Sequence, residues 1–495
     1  MKDIVSILNK TGPARSSKIV KILQAMSGMS AENARQKVSR AGGTIKKFPY
    51  GLLPNREGFV YLIEQRTSEG FWLKYLKAMR ETNSVYGFAI DSLIARGGII
   101  KISEFAVFSG APIAMRGQVA SQRVARTLES SGVIQKQEVN GEECYVLKRS
   151  ELGIADFFGH KPRTITENII LDGVREWSRK MGFASYNSIV TRTESLEKRR
   201  VGAFAWDLTG PSYLLPLKGE DSKPGFLVAD VFADTVLDEF AIKYMIRKSQ
   251  LLKASQKNLR FLPILIAEGF TGAALTKGRS EGLLLATPET LFGYAIARGL
   301  KNLLETLKNA AAIAAANPDR LLKLIEQLKD IEGAAGNLRG ILFELIAAYI
   351  AKVQGGSIDI GITAKDKDSG KAADIDVLRI PNKGECIAIE CKGKNPGGIV
   401  TLEEIEAWLK RLPIFLAYFK SERRFAEAKI SFEIWTTGNF SEDALDLLKK
   451  ERQKRTKHPI DWKNGNDVFA ISKSAKEKTI NKALREHFLV HPLAK

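Results

Sequence analysis

The 495-residue chain has only three cysteines and four histidines, too scattered to build a zinc module or a disulfide framework. Cys144, Cys386 and Cys391 show no CxxC spacing, and none of them pairs at zinc-finger distance with His160, His458, His487 or His491. No stretch approaches eighteen uninterrupted apolar residues, and the opening MKDIVSILNK holds too short an apolar run for a signal peptide. The expectation is a soluble cytoplasmic protein with no membrane partner. There is no GxxxxGK[ST] loop, so ATP is not an expected ligand. Acidic residues are also scarce beside basic ones: 56 Asp and Glu against 76 Lys and Arg, a net charge of +20. A surplus of that size points to a polyanionic partner. It is uneven, because residues 1–150 hold 23 basic and 12 acidic residues, a surplus of 11, whereas the other 345 residues carry 9. The nucleic-acid face is therefore expected in the N-terminal part.

What is present suffices for three or four domains with real apolar cores. Residues 1–66 read as three helices and a β-wing. Ile4, Val5, Ile7 and Leu8 give the first helix an apolar face that Gly12-Pro13 ends; Ile19, Val20, Ile22 and Leu23 give the second. Ser30 is placed to cap the third, which carries Arg35, Gln36, Lys37 and Arg40 up to Gly42-Gly43. A linker over 67–83, helical from 71 to 82, leads to a second copy at 84–150. There, helices at 84–95, 102–109 and 118–130 precede a hairpin that turns at Asn140-Gly141, a type I′ signal. An offset of 89 lays Gly43 on Gly132, Ile45 on Ile134 and Lys47 on Lys136, which supports a tandem repeat. Both copies resemble winged helix-turn-helix domains, and the resemblance implies third helices that enter a DNA major groove. The DNA-binding residues are then Arg35, Gln36, Arg40, Gln122, Arg123 and Arg126, long polar side chains of the kind that groove reading requires.

Residues 151–290 read as a middle α/β domain: a helix at 164–181, strands at 201–207 and 225–231, a helix at 236–253, a strand at 261–267, a helix at 271–278 and a strand at 283–286. This order repeats that of the C-terminal domain. Asp207 and Asp230 would occupy the two acidic positions discussed next, and Phe232 the lysine position, which makes this domain a degenerate copy or an unrelated α/β fold with two ordinary acids. Residues 291–334 read as a helical connector with Leu300, Leu303, Leu304 and Leu307 on one face and Leu321, Leu322, Ile325 and Leu328 on another. The basic run 449–458 reads as a solvated helix end that could also follow a phosphate backbone.

The most informative stretch is KAADIDVLRI PNKGECIAIE CKGK, residues 371–394. Two alternating strands flank a short turn, placing Asp374 and Asp376 on one face and Glu390 and Lys392 on one face of the next strand. Burying such charges without partners costs several kcal/mol on order-of-magnitude grounds. A divalent cation and a phosphate would complete them. Asp376, followed fourteen positions later by Glu390-Cys391-Lys392, resembles the PD-(D/E)xK nuclease superfamily, with Ile375 in place of the family's proline. The resemblance covers residues 335–495, including an opening helix whose single acid is Glu344 and expected later strands at 430–436 and 468–472. It implies a restriction-endonuclease-like α/β domain, catalysis by Asp376, Glu390, Lys392 and Glu344, and Mg²⁺ held by Asp376, Glu390, Glu344 and the Cys391 backbone carbonyl. Mn²⁺ is expected to substitute.

The expected fold class is thus multidomain α+β and α/β: two winged-helix domains, a middle α/β domain, a helical connector and a nuclease-like domain. The expected function is a Mg²⁺-dependent DNA endonuclease of restriction or defence type acting on double-stranded DNA. Cutting both strands with one site per chain suggests a homodimer, and a defence-system partner protein is a further expectation. The alternative is a DNA-binding regulator or adaptor subunit whose nuclease fold is inactive.

Overall fold

Capping and apolar spacing account for the first elements of the computed structural model. It describes residues 2–184, 186–218, 223–308, 323–324, 326–328, 335–382, 384–425, 427–474 and 478–489. Ser30 accepts a hydrogen bond from the Asn33 N–H at 3.3 Å and starts the helix Ala31–Ser39. Ile4, Ile7, Leu8, Ile19, Leu23, Ala34 and Val38 from the first three helices close over Ile45, Val60 and Leu62. Three short strands, Ala14–Arg15, Ile45–Lys47 and Phe59–Leu62, form a sheet with the last in the centre. The same plan recurs at Val85–Ala95, Phe105–Phe108 and Ser121–Ser130, with a sheet in which Glu142–Leu147 is central. Its hairpin turns at Asn140-Gly141, both with positive φ as a type I′ turn requires.

The chain divides into two compact units. One comprises Met1–His160 and Ser178–Thr287, the other Lys161–Trp177 and Pro288–Lys495. The chain is therefore multidomain, with helices and sheets mixed in both units. Lys161–Trp177, from the helix Phe157–Lys180, group with the second unit, although sequence reading puts them in the middle domain.

The two units contain sheets of the same connectivity. In the first, Leu208–Ser212 pairs antiparallel with Gly225–Leu237, which pairs parallel with Phe261–Phe270, and that pairs parallel with Leu284–Ala286. In the second, Ala372–Asn382 pairs antiparallel with Glu385–Lys392, which pairs parallel with Lys429–Thr436, and that pairs parallel with Ile460–Lys463. Ser357–Lys365 adds a fifth, outer strand to the second sheet. Helices cross between the parallel strands at matching places: Lys243–Ser255 and Gly272–Ser280 in one, Leu402–Ser421 and Glu442–Lys454 in the other.

Three elements differ from the sequence reading. The strand expected at 468–472 is helical, part of Gly465–Ser474, because Asn464 and Asp467 exchange side-chain-to-backbone hydrogen bonds that nucleate a helix N-terminus. The last strand is Ile460–Lys463, just past the basic run. The strand at 225–231 continues to Leu237, and its helix waits until Lys243, since the Asp238 carboxylate accepts from the Phe240 and Ala241 N–H groups and turns the chain. In the connector, Leu300, Leu303, Leu304 and Leu328 are buried; Leu321, Leu322 and Ile325 lie outside the described residues.

Candidate active site

Strand register brings the C-terminal acids together. Val377 stands opposite Ile389, so the next step puts Asp376 beside Glu390. The Cys391 N–H donates to Asp376 Oδ2 at 2.7 Å, fixing that carboxylate. Lys392, two residues beyond Glu390 on the same face, places Nζ 2.9 Å from Glu390 Oε1. The helix Ala335–Val353 packs against the strands Ser357–Lys365, Ala372–Asn382 and Glu385–Lys392 and contributes Glu344. Charge from Glu344 and Glu390 is felt at Asp376, so three carboxylates share one neighbourhood. Cys391 is buried, and burial together with the charges of Asp376, Glu344 and Glu390 raises its thiol well above the ordinary value.

The electrostatics follow from burial among like charges. Burial first, then repulsion from Glu390 and Glu344, raises Asp376 well above the ordinary carboxylate range. Glu344 is pushed up to about 7 by burial, opposed by Lys161 and reinforced by Glu390 and Asp374. Burial works against the Lys392 ammonium, but the Glu390 carboxylate outweighs it and holds the lysine above its usual value.

The raised Glu344 has a thermodynamic consequence. The folded chain keeps a proton on this group that the unfolded chain releases above its ordinary value of 4.5, so ionisation favours unfolding as pH rises from there to about 7. In EDTA, Glu344→Gln is therefore expected to melt higher than the parent at pH 8 and to show little gain at pH 5. A melting-temperature difference that does not change with pH would contradict the assignment.

Sequence reading missed Arg411, whose Nη2 lies 2.6 Å from the same Glu390 oxygen. Its signal was available: in the helix Leu402–Ser421 it falls three residues after Trp408 and four before Phe415, on the stripe that is buried. Glu390 thus gives Oε1 to two cations, while its Oε2 is buried with no hydrogen-bond partner. Among the described residues no three His, Cys, Asp or Glu side chains are gathered into a metal centre as they stand, because Glu390 is turned to Lys392 and Arg411. The donor set nevertheless suits a hard divalent cation: clustered carboxylates, one with an orphaned buried oxygen, beside an ammonium suited to an anion.

The six expected DNA-contacting residues are all exposed, Arg35, Gln36 and Arg40 on or at the end of Ala31–Ser39, and Gln122, Arg123 and Arg126 on Ser121–Ser130. Lys37, between them on the first of these helices, is instead paired with Asp3.

In the first unit the equivalent pair is sealed. Leu208 stands opposite Ala229, so Asp207 and Asp230 occupy the positions of Asp376 and Glu390, and the Val231 N–H donates to Asp207 Oδ2 at 2.9 Å as Cys391 does to Asp376. Asp207 is clamped by both ends of the Arg192 guanidinium at 2.6 Å, and Asp230 by Lys248 at 2.8 Å and the Tyr244 hydroxyl at 3.1 Å. Asp207, Asp230 and Lys248 are each 0% exposed, and Phe232 fills the position equivalent to Lys392. Arg96 and Lys248 also bond the Val231 and Val107 carbonyls, tying residues 84–150 to this sheet.

No family model matches the chain, and no curated protein matches it. One solved structure, the protein of unknown function AF1548, is similar at 20% identity over 28% of this chain and 67% of its own, with a TM-score of 0.19, too low to carry an argument. Among the described residues no helix is long and apolar enough to cross a membrane.

Proposed function

We propose that the protein is a Mg²⁺-dependent DNA endonuclease of the restriction or anti-phage defence type, with winged helices binding double-stranded DNA and a PD-(D/E)xK-like domain hydrolysing its phosphodiester bonds. The observation that carries this reading is the juxtaposition of Asp376 and Glu390 on neighbouring strands, with Lys392 on the same face and a buried Glu390 oxygen left without a partner. Asp376, Glu390, Glu344 and the Cys391 carbonyl are the groups that would hold Mg²⁺, or Mn²⁺ in its place. When bound, the ion supplies charge neutralisation at the phosphate and a more acidic water. The chain's own residues do the rest. The Lys392 ammonium orients the attacking water and offsets charge on a phosphate oxygen. Arg411 holds Glu390 in its rotamer, and the Cys391 N–H does the same for Asp376. A cytoplasmic location, a homodimer and a defence partner belong to the same reading.

The test is incubation of the purified protein with supercoiled plasmid and with linear single-stranded DNA, in Mg²⁺, Mn²⁺ and EDTA, beside Lys392→Ala. Metal-dependent cutting that the variant lacks supports the reading. Binding of plasmid without cutting under any condition would favour the regulator or adaptor alternative, in which the Lys392–Glu390–Arg411 ion pairs are the end state of the site.

The exposed arginines support the DNA-binding part. Replacing Arg35 and Arg40, or Arg123 and Arg126, by Ala should weaken duplex binding and lower the log–log salt slope by about one for each phosphate no longer neutralised. A mobility-shift titration with unchanged affinity and slope would remove that helix from the interface.

A further inference from the structure

We propose that Lys161 belongs to the same site, as the residue that holds a DNA backbone phosphate beside the one being cleaved; the proposal rests on the nuclease reading above. Lys161 lies about two hundred residues before the motif, in the helix Phe157–Lys180, and groups with the unit that contains the motif. Its Nζ is 3.1 Å from Asp374 Oδ2 and 3.1 Å from the Gly361 carbonyl oxygen. Both partners flank Asp376. Asp374 is two residues before it on the same strand face, and Gly361 is the residue that the strand pairing skips between Ile360 and Ile362, directly opposite Asp376. Gly361 has a φ of +64°, a left-handed conformation that interrupts the ladder there.

Charge balance assigns the role. Asp374, Asp376, Glu390 and Glu344 are four carboxylates in one neighbourhood, and Lys392 and Arg411 are both engaged by Glu390. With these acids ionised, as holding a metal ion requires, a phosphodiester approaching them meets like charge that a further cation on the approach side offsets. Lys161 is that cation. Its side chain is 28% exposed, as Lys392 is at 27%, but its partner Asp374 is 47% exposed, whereas Glu390, which holds Lys392, is closed in at 3%. Two of the three ammonium N–H groups are occupied by Asp374 and Gly361, which leaves one for a phosphate oxygen. Glu344, whose strongest charged influence is Lys161, links this end of the site to the other.

The experiment uses the full chain and a duplex oligonucleotide, with binding measured by anisotropy in Ca²⁺ over a salt series and cleavage measured separately in Mg²⁺. Lys161→Gln should lower the salt slope by about one and raise KM about tenfold, with kcat changed by no more than a fewfold. Lys161→Arg should restore slope and KM. Asp374→Asn, which releases the ammonium, should bind at least as tightly as the parent. An unchanged slope in Lys161→Gln, or an equal loss in Asp374→Asn, would overturn the proposal by making the pair purely structural. A parent that never cuts, with a slope that still falls in Lys161→Gln, would sink the nuclease reading and leave the phosphate-binding role standing.

Discussion

Lys392→Ala is expected to lose about 10³-fold in cleavage rate while keeping its fold and its affinity for DNA, the scale of removing a positioned acid–base group or a charge-stabilising donor. Folding and chemistry separate here because Glu390 has two cations. Without Lys392, the Glu390 carboxylate keeps Arg411 at 2.6 Å, so no uncompensated buried charge is created. Affinity should hold because the exposed arginines of the N-terminal modules lie in the other unit. Single-turnover cleavage beside a mobility-shift titration measures both quantities. A variant that cuts as fast as the parent would show that any nuclease activity lies elsewhere; one that loses DNA binding in parallel would assign Lys392 to binding rather than chemistry.

The largest stability effect belongs to the sealed pair of the first unit. Lys248→Met should destabilise that unit by about 3–5 kcal/mol, the cost of leaving one member of a buried ion pair alone. Asp230 would keep only the Tyr244 hydroxyl and the Asp207 N–H, and the Val107 carbonyl would lose its donor. The ammonium also sits 3.8 Å above the Trp206 ring, an interaction that Met replaces only by packing. Burial opposes charge on both members, pushing Asp230 up and Lys248 down, so the pair survives only through its mutual bonds. Removing both charges together, as Asp230→Leu with Lys248→Met, should therefore recover much of the loss. Differential scanning calorimetry checks this in the full chain, and a single variant as stable as the parent would show that the pair carries no such load.

The two acidic pairs explain how far sequence could reach. Period-2 alternation put Asp374 with Asp376, and Glu390 with Lys392, on common faces, because a strand fixes side-chain direction locally. The same rule aligned Asp207 and Asp230 with the C-terminal acids and left Phe232 where Lys392 stands. Ser30 as a cap and Asn140-Gly141 as a turn were legible for the same reason: each is decided by a few adjacent residues. The helix start at Asn464 was not read: the apolar run after it reads as a short strand, and the Asn464–Asp467 hydrogen bonds decide for a helix.

Interactions made across the fold were a different matter. That Glu390 would share one oxygen between Lys392 and Arg411 depends on how a helix lies on a sheet. That Asp207 and Asp230 would be clamped by Arg192 and Lys248, and so shut off from solvent, depends on elements 15 and 18 residues away. Lys161 meets Asp374, 213 positions further along the chain, with no local pattern to announce it. The basic balance, most of the element types and the facing of the acids were readable before any coordinates, since they follow from composition and from backbone periodicity; the segment 468–472 was not. Which charges meet was settled by the folded chain, because ion pairing and burial depend on distances that no spacing along the sequence encodes.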